Sequence, residues 1–458
     1  MIRKQQFKAK IFLIQKELPY LLLCMLVLYP IFPNAFQSFF LVLFFSSCFF
    51  YYKERILVNL KEIGVKPLVL VCSWFLFLSI TLFYTEDLAL GFKRLVRMIH
   101  VVLFPFIFLL VLPALSKKKI RVLSNLFIFV HVFLGVFLLI KCFEGINRLG
   151  FRGVDGTWVY NISDQGFLEL LKEFSKMSFA ASRYFINENE ISTFFIHKAY
   201  LSLGFAWCFF LSINEVFSKN STLRKVIYTL LVIFFFCSII YFTSIPNILA
   251  LILLFPLYII LKLDNFKKGL VFISICFFSV FTILQVQSVN EKVFGDRRLL
   301  TDINEAKNLI SSIVEGKEMK DTNVRYNVWS CSFENIKKNF WFGIGVGDEE
   351  AVLKECYQKK DCEYCAQNNL NTHNYYASLM LSGGVFVLGL FLVALLYQIT
   401  VGYRTGNILL VIFILLFAIN LISENMLSRI NGVLFYSMFS GLMLNQSFNF
   451  FKESKVNS

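Results

Sequence analysis

The sequence predicts an all-α polytopic membrane protein with about twelve transmembrane helices and two long extracytoplasmic loops, the larger one partly helical. Three observations carry that reading. Of the 458 residues 57% are apolar, with 56 Phe, and only 16% are charged, against roughly 25% in soluble domains. The mean hydropathy is +0.66. The apolar residues fall into runs near the length of about 20 that crosses a bilayer, and the basic residues collect in the connectors between alternate runs. So few charges cannot cover a soluble protein of this size, which excludes an ordinary cytosolic enzyme, a disordered chain and a nucleic-acid binder.

The runs fall at about 19–33, 35–52, 67–84, 95–113, 122–143, 194–212, 226–244, 247–263, 269–287, 373–399, 407–422 and 430–447. The first carries Pro19 and Pro30. It follows a basic segment as a signal peptide would, but no small-residue cleavage site follows it, so it reads as a retained helix. The seventh and eighth runs are split only by Ile245-Pro246, a tight hairpin. With the N-terminus inside, the inner segments hold 22 Lys and Arg and the short outer connectors hold Arg429, apart from the basic start of the fourth run. That bias puts both termini in the cytoplasm.

Two long connectors, about 144–193 and 288–372, then face outward, and chemistry is expected there. The chain divides into an N-terminal bundle of about nine spans (1–287), the large outer loop (288–372), and C-terminal helices with a cytoplasmic tail (373–458). Cys331, Cys356, Cys362 and Cys365 lie in the second loop. In an oxidising compartment a disulfide is the simplest reading. Free thiols or half of a zinc site are the alternatives, and the pairing is open.

The stretch from Asp321 to Gly384 holds the most chemistry. Asp321 or Thr322 can cap a helix that puts Arg325 and Trp329 on one face. That helix breaks at Phe342-Gly343-Ile344-Gly345-Val346-Gly347-Asp348, after which Asp348 can cap the next. Gly343 and Gly345 allow close approach to a ligand, or form a plain turn. His373 stands where the loop enters the tenth run, with Gly383-Gly384 about three turns deeper. It is either an interfacial anchor or a general base at the bilayer surface.

Lys93, Arg94, Arg97 and His100 open the fourth run on the outer side, against the charge trend. Arg94, Arg97 and His100 share a helix face, which suits a lipid-linked phosphate or pyrophosphate; snorkelling to headgroups is the other reading. His197 opens the sixth run at the same outer depth, and Arg183, in the first long outer loop, is placed to face the same site. Glu424-Asn425 and Arg429 form the outer turn before the last run and read as capping or interface residues. His131 is mid-span and reads as a core histidine.

The order of these pieces resembles the O-antigen ligase and O-antigen polymerase superfamily of bacterial membrane glycosyltransferases. The resemblance rests on Arg325-x-x-x-Trp329, Phe342-Gly343-Ile344-Gly345, His373-Asn374, the spacing of His373 to Gly384, and Glu424-Asn425 with Arg429-x-x-Gly432. It covers about 320–445 well; His197-x-x-Tyr200 and the basic start of the fourth run are also similar. The seventh run departs from the family: Thr243-Ser244-Ile245-Pro246-Asn247 lacks the Arg often found there.

The resemblance implies a metal-independent, cofactor-free and inverting enzyme of the bacterial inner membrane, working on its periplasmic face in surface polysaccharide or lipopolysaccharide biosynthesis. It would transfer a glycan from an undecaprenyl-pyrophosphate-linked donor to lipid A–core or to another glycan. The roles implied are His373 and Arg325 as catalytic residues and Arg94, Arg97, Gly343, Gly345 and His197 as donor-binding residues. Trp329, Trp341, Tyr375 and Tyr376 would stack on sugars. The alternatives are a repeat-unit polymerase, a protein O-oligosaccharyltransferase and a lipid-linked glycan transporter. The outer clustering of polar residues and the lack of an internal repeat favour an enzyme over a transporter.

Overall fold

The computed structural model describes residues 16–149, 151–152, 158–159, 198–241, 245–263, 274 and 324–456. The first part of the chain folds as α1 (Leu18–Val27), α2 (Asn34–Tyr52), a short amphipathic α3 (Arg55–Ile63), α4 (Lys66–Ile80), α5 (Leu88–Met98), α6 (His100–Phe106) and α7 (Lys117–Leu149). A two-residue antiparallel pair, β1 (Phe151–Arg152) and β2 (Trp158–Val159), follows. Then come α8 (Lys198–Val216), α9 (Thr222–Tyr241) and α10 (Ile245–Lys262). The last part holds α11 (Val324–Lys338), α12 (Glu349–Lys359), α13 (Glu363–Gln367), α14 (Tyr375–Arg404), α15 (Ile408–Leu421) and α16 (Ile430–Val456).

Among the described residues eight helices are long and apolar enough to cross a membrane. The expected first and eleventh spans form helices of only 10 and 14 residues. Pro30 ends the first of them in a single 3-10 turn, Tyr29–Ile31, as a residue without an N–H does. The expected ninth span, 269–287, lies outside the described residues apart from 274. The fourth span starts earlier than its apolar run: one stretch, Leu88–Val111, joins α5, α6 and a π turn at Ile107–Val111. Pro105 lies inside it. The carbonyl of Leu110 accepts a hydrogen bond from the Asn59 side-chain amide at 2.9 Å, and that of Phe108 accepts one from the Asn445 amide.

Phenylalanine fills the bundle core. Phe44 stacks on Phe104 at 6.0 Å, Trp207 meets Phe413 edge-on at 4.8 Å, and Phe435 meets Phe439 at 5.3 Å. At the end of the bundle opposite His373, Arg121 pairs with Glu215 at 3.2 Å, while Tyr258 and Lys262 both donate to Asn214. These bonds join α7, α8 and α10.

Helix α14 does not run straight. Gly384 has φ 68° and ψ −170° inside it. The rings of Tyr375 and Phe391 lie 5.7 Å apart, whereas a straight helix would separate them by roughly 24 Å. The first half, 375–383, is therefore folded back along the second, 385–404. The expectation that Gly383-Gly384 lie three turns deeper than His373 is overturned, because the chain reverses at Gly384.

Above the bundle, α11, α12 and α13 form a small outer layer. Its core is Val328, Cys331, Ile336, Leu353, Cys356, Tyr357, Cys365 and Ala366, closed against Leu381 of α14. Disulfides Cys331–Cys356 and Cys362–Cys365 staple it. Burial pushes the Tyr357 phenol up, which keeps it a donor, and it bonds the Leu370 carbonyl at 3.0 Å.

Candidate active site

The fold-back is held by the glycine loop. A helix interrupted at Gly384 frees the carbonyls of Leu381 and Ser382 and the amide of Val385. The Ile344 amide donates to Leu381 at 2.8 Å, the Gly345 amide to Ser382 at 3.0 Å, and Val385 donates to the Phe340 carbonyl at 2.9 Å. The loop is thus threaded into the break. Gly343 (φ 70°) and Gly345 (φ 107°) occupy backbone conformations that favour glycine. A Cβ on Gly343 would lie 2.6 Å from the Leu381 carbonyl.

The same loop docks on the corner between α4 and α5. Val346 donates to the Thr81 hydroxyl at 3.1 Å and Gly347 to that of Thr85 at 2.9 Å. The six amides from Gly343 to Asp348 are all bonded within the protein. Gly343 and Gly345 therefore have no amide left for a phosphate, and their expected donor-binding role gives way to an architectural one. Asp348 stands at the N-cap of α12 without capping it. Its carboxylate instead accepts the Glu86 amide (3.1 and 2.9 Å) and the Asp87 amide (2.9 Å).

Arg94 is likewise committed. Its guanidinium donates to the Val346 carbonyl at 3.0 Å, to Glu349 at 3.1 Å and to Glu350 at 3.3 Å. The expectation that Arg94 holds a pyrophosphate is replaced by a structural ion pair. Arg97, one turn further along α5, is exposed, and its side chain makes no ion pair among the described residues. His100 packs on Phe45 at 6.3 Å.

His373 sits immediately before the folded-back half-helix. Its φ of 46° is unusual for a residue with a side chain, and its amide donates to the Asn371 side chain at 2.9 Å. The next residue, Asn374, caps α14 by accepting the Ala377 amide at 3.1 Å. This turn aims the ring across to the 424–429 turn, where Nδ1 lies 3.5 Å from Glu424 Oε2. Both side chains are about one-third exposed, at 35% and 34%. Beneath them the fully buried Thr372 hydroxyl bonds Asn425 Oδ1 at 3.1 Å and the Asn374 carbonyl at 2.9 Å. Tyr200 donates to the Met426 carbonyl at 3.3 Å. Gly432 leaves no room for a Cβ, which would lie 2.7 Å from the Tyr200 ring.

Arg325 lies in the first turn of α11, on an exposed position; Asp321 and Thr322, its expected caps, lie outside the described residues. So do His197 and Arg183. The expected stacking residues divide. Tyr375 is 2% exposed and packs on Phe391, so its ring cannot stack on a sugar. Trp329 packs against the core of the outer layer, with its indole N–H buried. Tyr376 donates to the Ala418 carbonyl at 2.8 Å. Trp341 is exposed beside Phe340 and Phe386, an aromatic group of the kind found at membrane boundaries. His131 is buried, with Nδ1 2.9 Å from the Phe127 carbonyl, as expected of a core histidine.

The sequence reading set aside Glu424 as a capping residue and missed Asn371, Thr372 and Glu349. Asn425 is 53 positions from Thr372, and no spacing rule joins residues so far apart. Among the described residues no cluster of three or more His, Cys, Asp or Glu is placed to hold a metal ion.

Fold and site together define a polytopic helical membrane protein in which a histidine just ahead of a folded-back half-helix meets a carboxylate from the turn behind α15. Residues 199–392 match the family model for O-antigen ligase, which supports the resemblance to O-antigen ligases and polymerases. The match takes in Tyr200, Arg325, the glycine loop, His373 and Gly384; Arg94, Arg97, Glu424 and Arg429 lie outside it. No curated protein matches the chain.

Proposed function

We propose that the protein transfers a preassembled glycan from an undecaprenyl-pyrophosphate carrier to a hydroxyl acceptor, lipid A–core in the ligase reading, on the outer face of the bacterial inner membrane. The observation that carries the proposal is the approach of His373 to Glu424, at 3.5 Å, within an O-antigen ligase-type chain. With Nδ1 turned to the carboxylate, Nε2 is the ring nitrogen left to meet an acceptor hydroxyl. Two disulfides in the outer layer support an oxidising compartment.

In this reading His373 Nε2 takes the proton of the acceptor hydroxyl as that oxygen attacks the anomeric carbon. The bond from that carbon to the pyrophosphate oxygen breaks, and the pyrophosphate leaves on its polyprenyl chain. A single displacement inverts the anomeric configuration. Because the leaving group is already good, the residues supply positioning and charge neutralisation. The exposed guanidinium groups of Arg97 and Arg325 are the cations proposed for the diphosphate. Each charge-assisted contact contributes about 1.5–3 kcal/mol.

The test is deletion of the gene followed by gel analysis of surface glycan. Full-length chains left on the carrier indicate a ligase, and single repeats left on the carrier indicate a polymerase. Unchanged glycan would sink both.

A further inference from the structure

We infer that Glu349 is a positioning residue for the transfer, setting the separation between helix α5, which carries Arg97, and the half-helix that begins beside His373. One carboxylate oxygen, Oε2, receives both bonds: Arg94 of α5 at 3.1 Å and the Ser378 hydroxyl of α14 at 2.8 Å. Ser378 lies in the folded-back half that His373 precedes. The neighbouring Asp348 holds the amides of Glu86 and Asp87 at 2.9–3.1 Å, so α12 is anchored to the start of α5 as well. Two consecutive acids thus bind the helix of the exposed arginine to the segment of the base.

The arrangement is a poor device for stability alone. Glu349 is 4% exposed, and its other oxygen, Oε1, is buried without a hydrogen-bond partner. The Tyr375 hydroxyl, also buried, is equally without one. Buried ion pairs recover little of their desolvation cost, and their best-attested use is to fix a register. Here the register is that of the half-helix against α5. A displacement of about 1 Å between reacting groups can lower a rate by about 100-fold.

The inference rests on the transfer reading, and its test separates the two. Full-length Glu349→Ala, Glu349→Gln and Ser378→Ala proteins are assayed with an undecaprenyl-pyrophosphate oligosaccharide and lipid A–core. Hydrogen exchange of residues 375–383 is followed in parallel. Glu349→Ala is expected to lower kcat about 10- to 100-fold with little change in donor KM. Glu349→Gln, which keeps an acceptor for both bonds, should recover most of the rate. Ser378→Ala, too small a change to prevent folding, should fall between them. Exchange in 375–383 should quicken in Glu349→Ala. Wild-type kcat in Glu349→Ala and Ser378→Ala, or a loss carried by KM, overturns the inference, as does unchanged exchange. If the unaltered protein shows no transfer with this donor and acceptor, the transfer reading fails instead, and exchange alone decides whether Glu349 holds the half-helix.

Discussion

His373 Nδ1 stands 3.5 Å from Glu424 Oε2, although the two belong to different interhelical turns, one ahead of α14 and one behind α15. The pair exists because 375–383 turns back at Gly384 and because Thr372 bonds Asn425. A straight α14 would have carried the imidazole away from the carboxylate.

Replacing His373 by Ala is expected to cut glycan transfer by about 10²–10⁴-fold, the range for a lost general base, with protein still present in the membrane. Glu424→Gln should retain partial activity, because the ring is then held only by a neutral acceptor. The check is donor turnover by purified protein. Full activity of His373→Ala would remove the base from the mechanism.

Gly384→Ala should destabilise the fold. The backbone angles of Gly384, φ 68° and ψ −170°, are essentially restricted to glycine and cost another residue on the order of 1–3 kcal/mol, and a Cβ at this position would run into the Trp341 carbonyl. The thermal unfolding midpoint in detergent should fall, with a matching loss of transfer. An unshifted midpoint would show that the chain does not reverse there.

Arg325→Lys should impair transfer, since an ammonium cannot reproduce the planar fork of a guanidinium on phosphate. Arg97→Gln should raise donor KM and leave the unfolding midpoint in place, because Arg97 is exposed. Unchanged donor KM in Arg97→Gln would take that cation out of the donor site.

The two disulfides should differ in weight. Cys331–Cys356 closes a separation of 25 residues, and its loss should destabilise the outer layer by about 3–4 kcal/mol on the chain-entropy estimate. Cys362–Cys365 spans 3, and the same estimate gives about 2 kcal/mol. Thermal unfolding of Cys331→Ser/Cys356→Ser beside Cys362→Ser/Cys365→Ser measures both, and equal shifts would contradict the ranking.

Much of the architecture was legible because membrane helices are written locally, as runs of about 20 apolar residues. Asn34–Tyr52, Thr222–Tyr241 and Ile245–Lys262 fall close to where hydropathy puts them. The short α1 and the early start of α5 were harder. Pro30 cuts the first run, and the polar turn of α5 carrying Lys93, Arg94 and Arg97 hides a helix that continues into the span. The glycines at 343, 345 and 384 were visible as glycines, but their partners were not. Whether a loop amide serves a ligand or the carbonyl of a broken helix depends on what lies across from it.

Residue type and order alone determined the membrane class, and the proposals of an outer grouping of polar residues and of His373 as base were drawn from the same local hydropathy and local chemistry. Tertiary structure decided which side chains are spent and which are exposed. Arg94 is consumed by Glu349 and Glu350, Tyr375 is buried under Phe391, and Arg97 is left at the surface. Glu424 became the partner of His373 only through the reversal at Gly384. Pairings between segments this far apart depend on how the chain packs, and a one-dimensional pattern carries no distance between them.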